Sequence, residues 1–164
     1  MRPGEIEKFV QYAGTRQDGD SVLLIVDCDD DCPREVVVDL CQRVRPIAER
    51  FAKRVGLALM HREFETLFLY SLKELAEQYP ELRWTLEVPD SERDWAEVRG
   101  AKEKLRQRMS TGTYKETRDQ ARFVSALDLE ALRERCRAFA HLTSTLDWLC
   151  SEAETGPVYP WIRA

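Results

Sequence analysis

Long apolar runs are missing from this chain of 164 residues. The longest, Val22-Leu23-Leu24-Ile25-Val26, is far short of the roughly 20 residues that a spanning helix needs, so no membrane segment is expected. Histidine is scarce as well. His61 and His141 are the only two, and the C-x3-C spacing of Cys28 and Cys32 fits a zinc site poorly. The five cysteines, Cys28, Cys32, Cys41, Cys136 and Cys150, are odd in number and suit reduced thiols better than a disulfide frame. A basic excess is absent too. With 30 Asp+Glu against 25 Lys+Arg the net charge is -5, and with 43% hydrophobic residues the chain is neither a broadly basic nucleic-acid binder nor a disordered tail. Residues 1–5 lead straight into an amphipathic stretch without the apolar core of a signal peptide, so a cytoplasmic protein is expected. The length suits one domain, and there is no internal repeat.

What is present reads as alternating helix and strand. Ile6, Phe9, Val10 and Ala13 recur at helical spacing and end at Gly14, which predicts a helix over 5–13. Val22–Val26 is a β-branched and Leu run, as in a parallel strand buried on both faces. It stops in Asp27-Cys28-Asp29-Asp30-Asp31-Cys32-Pro33, where Asp31 can cap a helix and Pro33 suits its first turn. A helix over 33–53 follows, which Pro46 should kink or break. Val55–Met60 is a second apolar strand, and Phe64, Leu67, Phe68, Leu72 and Leu75 predict a third helix. Residues 80–94 read as a loop, and helices are expected over 96–109, 118–127 and 129–150. Tyr159 and Trp161 suggest a tail that docks on something apolar. The whole is an α/β chain: a βαβ core over 1–78 and a helical part over 95–150, within one domain spanning 1–164.

In a βαβ unit both strands end on the same edge of the sheet, and open α/β sheets carry their sites there. Between Asp18 and Asp39 lie eight acidic residues and one basic residue, Arg34. Crowding Asp27, Asp29, Asp30 and Asp31 at a strand end calls for water, raised pKa values or a cation. Mg²⁺ or Mn²⁺, which take one or two carboxylates with several waters, would answer it, and Glu63 and Glu65 after the second strand would form the opposing wall. The plainer reading is that these acids sit in helix first turns, where negative charge is favoured by the dipole. Residues 99–123 add eight basic side chains, a surface that would suit a phosphodiester or, equally, a solvated helix face.

The order of motifs resembles a bacterial family known as domain of unknown function 4276. They are Asp27-Cys28-Asp29-Asp30-Asp31, then Arg62-Glu63-Phe64-Glu65, then Gly100-Ala101-Lys102-Glu103, then Tyr114-Lys115-Glu116-Thr117-Arg118-Asp119-Gln120. That family in turn looks like a Toprim-type fold, a Rossmann-like short parallel sheet flanked by helices, related to topoisomerases, primases and the OLD nucleases. The resemblance implies a Mg²⁺- or Mn²⁺-dependent nuclease acting on nucleic acid beside an ATPase subunit, in defence against phage or foreign DNA. Its metal ligands would be Asp27, Asp29, Asp31 and Glu65, beside Glu63 on the opposing wall, with Glu65 and Lys102 catalytic. Arg62 belongs to the Arg-x-x-Glu element, and Tyr114, Asp119 and Gln120 to the second-half motifs. Toprim domains open with a strand and a glutamate, whereas Glu5 and Glu7 fall on the first helix. A catalytically reduced subunit serving as an interaction partner is therefore the alternative expectation. A phosphatase of the haloacid dehalogenase type, imitated by Asp27-Cys28-Asp29, is a more remote one.

Overall fold

The apolar run Arg54–Met60, buried at nearly every position, forms the central strand of a three-stranded parallel sheet. The computed structural model describes residues 4–28, 30–87, 93–96, 98–151 and 156–160. In chain order the elements are α1 (Glu5–Gly14), β1 (Ser21–Asp27), α2 (Pro33–Phe51), β2 (Arg54–Met60), α3 (Thr66–Tyr70), α4 (Leu72–Gln78), a 3-10 turn (Pro80–Leu82), α5 (Ala101–Arg108), α6 (Glu116–Val124), α7 (Leu129–Arg135), α8 (Arg137–Cys150) and β3 (Val158–Tyr159). The sheet order is β1-β2-β3. The chain divides into two units, one of residues 1–59 with 141–164 and one of residues 60–140. None of the helices among the described residues is long and apolar enough to cross a membrane.

In the first unit Val55 and Leu57 of β2 point into a core with Ile6 and Val10 of α1, Val26 of β1, Leu40, Val44 and Ala48 of α2 and Val158 of β3. Gly56 faces the opposite way, because successive strand residues alternate. There a Cβ would lie 2.5 Å from Thr145 Cγ2 and 2.9 Å from Leu149 Cδ1 of α8. The missing side chain is what lets α8 close on that face. Gly56→Ala is therefore expected to cost about 1–3 kcal/mol through overpacking, read as a fall in the thermal midpoint. An unchanged midpoint would mean that α8 does not pack there.

β1 is an edge strand, and Ile25 is 47% exposed, so the expectation of a strand buried on both faces is met by β2 and not by β1. The third strand was not expected. It pairs in parallel with β2 in the register Val55↔Val158 and Gly56↔Tyr159, and Tyr159 stacks on Trp148 at 5.5 Å. The expected docking of the tail is thus met at Tyr159, while Trp161 lies outside the described residues. Arg54 closes the C-terminal end of α8, donating to the carbonyls of Trp148, Leu149 and Ser151 with its guanidinium over the Trp148 ring. Arg43 of α2 grips Glu7 of α1 through two bonds of 2.7 and 2.9 Å.

Helix α2 runs through Pro46 without a break. Pro46 and Gln42 both face solvent, where water can serve the carbonyl that proline leaves without a donor. Other expected helices divide. The single helix after β2 becomes α3 and α4, parted at Ser71, and the stretch over 129–150 is parted at Cys136, where the backbone turns extended. The helix expected over 96–109 begins only at Ala101, after Gly100 in the left-handed region (φ 67°).

The second unit is built on aromatic side chains. Phe123 of α6 is fully buried and meets Phe68, Tyr79, Trp84 and Tyr114, with ring centroids 5.5–6.0 Å away. Trp95 is also fully buried, so both Trp84 and Trp95 act as packing. The five cysteines are reduced thiols, with Cys28, Cys41 and Cys136 buried.

Candidate functional site

The motif residues fall into two sets. Asp27, Asp30 and Asp31 belong to the first unit, whereas Arg62, Glu63, Glu65, Lys102, Tyr114, Asp119 and Gln120 belong to the second. Asp29 lies outside the described residues.

In the first unit β1 delivers Asp27 at its last position, and Cys28 then turns inward, 2% exposed. The Asp31 N–H donates to the Cys28 carbonyl at 2.9 Å, which folds the chain back and leaves Asp27, Asp30 and Asp31 exposed. Asp31 was expected to cap α2. The cap position belongs instead to Cys32, whose side chain makes no capping bond, and Pro33 is the first helical residue. Asp31 thus stands one residue before the cap position of α2, where the dipole still favours its charge.

In the second unit the motif segments do meet. Arg62 adopts the left-handed conformation (φ 67°), uncommon for a residue with a Cβ and a place where backbone strain is stored. Glu63 follows, and its Oε2 accepts the backbone N–H of Lys102 at 2.8 Å. A carboxylate distant in sequence thereby closes the first turn of α5, an end that Gly100 shapes by its positive φ. Glu65 takes the N-cap position of α3, but its side chain does not cap that helix. It is buried, 2% exposed, and its Oε1 accepts the hydroxyl of Tyr114 at 2.8 Å. Burial, then the bond to Glu65 and the charges of Glu65, Glu116 and Asp119, push the Tyr114 hydroxyl far above the ordinary phenol range. It therefore stays protonated and donates.

Lys102 completes the arrangement. Its Nζ pairs with Glu116 at 2.9 Å, and the charges of Glu65 and Glu63 add to that bond in holding the ammonium above the ordinary lysine value. A lysine so held stays a cation near neutral pH. Glu116 stands within the Tyr114–Gln120 motif, but no sequence spacing ties it to Lys102. Asp119 serves the frame: it accepts the Lys115 N–H that opens α6 at 2.8 Å and two bonds from Arg118. Gln120 follows on α6, half-buried. The expected basic surface is largely neutralised, because Lys102, Arg106, Arg108, Arg118 and Arg122 each pair with a carboxylate.

Asp119 gives a pH prediction. Burial pushes its carboxyl up, but Arg118, the Lys115 N–H and Arg122 outweigh this and leave it below the ordinary aspartate value. A folded pKa below the unfolded one contributes stability above about pH 4 that is lost as pH falls through the folded value. Asp119→Asn is expected to cost about 1.5–3 kcal/mol at pH 7 and to flatten the decline below pH 4, in urea unfolding followed against pH. A variant as acid-sensitive as the parent would refute this assignment.

Among the described residues no group of three or more His, Cys, Asp or Glu side chains is gathered so as to hold a metal ion. In the second unit Glu63, Glu65 and Glu116 are engaged by protein donors. The exposed Asp27 and Asp31 are hard oxygen donors of the kind Mg²⁺ takes one or two at a time with water, so the donor type in the first unit fits.

Fold and motif cluster together define a mixed α/β protein whose short parallel sheet carries an acidic strand end, with a helical second unit that gathers a Glu-Tyr-Lys-Glu constellation. Residues 4–147 match the family described as Domain of unknown function (DUF4276), and the chain belongs to that family. Among curated proteins and among solved structures none matches it significantly.

Proposed function

We propose that this chain is a metal-dependent nucleic-acid phosphodiesterase of the Toprim type, which works with an ATPase partner against phage or foreign DNA. The observation that carries the reading is the exposure of Asp27, Asp30 and Asp31 at the end of β1, just before an α2 whose cap position belongs to Cys32. Carboxylates crowded at one strand end favour a nearby cation, and a hard divalent cation is the chemical match. Asp27, Asp29 and Asp31 are the residues that would hold it, and when bound it supplies stabilisation of the attacking and leaving oxygens. Lys102, kept protonated by Glu116, Glu65 and Glu63, is suited to a phosphate oxygen. Tyr114 fixes Glu65 by its hydroxyl.

The test is cleavage of single- and double-stranded DNA with Mg²⁺ and with Mn²⁺, by the chain alone and with its ATPase. Cleavage that needs the metal supports the reading; inactivity in every combination overturns it. A catalytically reduced interaction subunit is the second reading. It is favoured by the commitment of Glu63, Glu65 and Glu116 to protein donors, and it predicts that inactivity together with stable association with the ATPase.

A further inference from the structure

Beside α5, within the second unit, lies a cavity of about 180 Å³ whose walls include Arg93, Lys104, Arg108, Gln107, Thr85 and Glu87. Helix α5 supplies Lys104, Gln107 and Arg108 at spacings of three and four, so they share one face. The segment before the cavity runs antiparallel to the end of α5, through the Trp84↔Met109 bridge and a bond of 2.8 Å from the Thr85 N–H to the Arg108 carbonyl. Arg93 stacks over the buried Trp95 ring at 4.7 Å, which holds its guanidinium at the wall.

The pairing of Arg108 is what points to a ligand. Its side chain is only 9% exposed, and both terminal nitrogens meet Glu87, Nη1 to Oε1 at 2.7 Å and Nη2 to Oε2 at 2.9 Å. Glu87 is 61% exposed. A planar carboxylate that takes an arginine fork through two parallel bonds presents the same face as two oxygens of a phosphate. The bonds from Arg108 and its charge, with those of Arg93 and Lys104, draw the Glu87 carboxyl below the ordinary glutamate range, so the pocket already stabilises one negative charge. Among the described lining residues three cations face one carboxylate, a balance that favours a more highly charged anion. The volume is below the roughly 300 Å³ at which pockets for whole small molecules begin, and it suits a single phosphoryl group or a pyrophosphate.

We propose that this cavity is an oxyanion site for a phosphate group, in which the Glu87 carboxylate occupies the fork of Arg108 until a phosphate displaces it. The site stands on its own cations and does not rest on the metal reading. The phosphate can come as a free ion or as the terminal phosphate of a nucleic-acid strand.

Calorimetric titration of the full chain in EDTA tests this with metal chemistry silenced. The probes are inorganic phosphate, pyrophosphate and a short oligonucleotide with or without a 5′-phosphate, against chloride at equal ionic strength. Saturable binding is expected for at least one phosphate probe. Glu87→Gln is expected to strengthen it about tenfold by removing the competing charge, and Lys104→Gln to weaken it about tenfold. Preference for the 5′-phosphorylated strand would assign the strand end as the source, and equal binding of free phosphate or pyrophosphate would assign the ion. Absence of saturable binding in both the parent and Glu87→Gln would overturn the proposal, as would an affinity that Lys104→Gln leaves unmoved. Unligated melting temperatures separate loss of the site from loss of the fold.

Discussion

Tyr114→Phe is expected to lower the unfolding free energy by about 1.5–3 kcal/mol, although it removes one oxygen atom and no apolar contact. The hydroxyl lost is the donor to Glu65 Oε1 at 2.8 Å, and Glu65 is 2% exposed. Water cannot easily replace a donor at a buried carboxylate, so the variant bears the desolvation of a poorly served charge as well as the lost bond. Removing both partners is different. Glu65→Gln with Tyr114→Phe leaves no buried charge, and the double variant is expected to be more stable than the sum of the single losses implies, the mark of coupled neighbours. The alkaline arm gives a second check. The Tyr114 hydroxyl is raised in the folded state by burial first and by Glu65 next. Its stabilisation is then complete below the unfolded phenol value near pH 10 and lost as pH climbs above it. Tyr114→Phe should lose less stability than the parent above pH 10. Lys102 and Tyr70, raised as well, keep some alkaline decline in both proteins. Urea midpoints at pH 7 and pH 11 measure all of this, and a Tyr114→Phe protein as stable as the parent at pH 7 would show that the buried bond is not made.

The elements that position the site were legible where burial sets a strong period. Val22–Val26 and Val55–Met60 announced β1 and β2, and Val37, Leu40, Cys41, Val44 and Ala48 marked α2 so firmly that Pro46 does not interrupt it. Breaks inside apolar stretches were not legible. Ser71 and Cys136 are ordinary residues in a helix-like pattern, and both are buried where the helices part. The two-residue β3 is too short to show alternation. At the site, the family motifs identified the right residues without their partners. That Glu63 closes α5, that Glu65 is tied to Tyr114 and that Glu116 holds Lys102 depends on contacts between segments 14 to 49 positions apart, formed only when the second unit folds. The basic run over 99–123 misled in the opposite direction. Charge counted along the chain takes no account of the carboxylates of Glu81, Glu87 and Glu116 that fold back upon it.

The acidic strand end gives the sharpest contrast between a structural and a chemical role. If Asp31 acted as a helix cap, Asp31→Ala would cost about 1 kcal/mol and leave cation binding untouched. Because Cys32 holds the cap position of α2 without a side-chain bond, the expected stability change is within about 0.5 kcal/mol, and thinning the acidic crowd acts in the stabilising direction. Affinity for Mn²⁺ should instead fall, since the lost oxygen is one that an ion would need. Asp27→Asn, which keeps the shape and removes the charge at the last residue of β1, is expected to reduce Mg²⁺- or Mn²⁺-dependent cleavage by about 10²–10³-fold, the scale on which loss of one preorganised electrostatic group acts. Calorimetry with Mn²⁺ and thermal melting on the parent and both variants decide the matter together. Heat in the parent that shrinks in both variants while melting holds would assign the strand end to an ion. A parent that gives no heat, or an Asp31→Ala protein that melts lower and still takes up manganese, would return these aspartates to the frame of the fold.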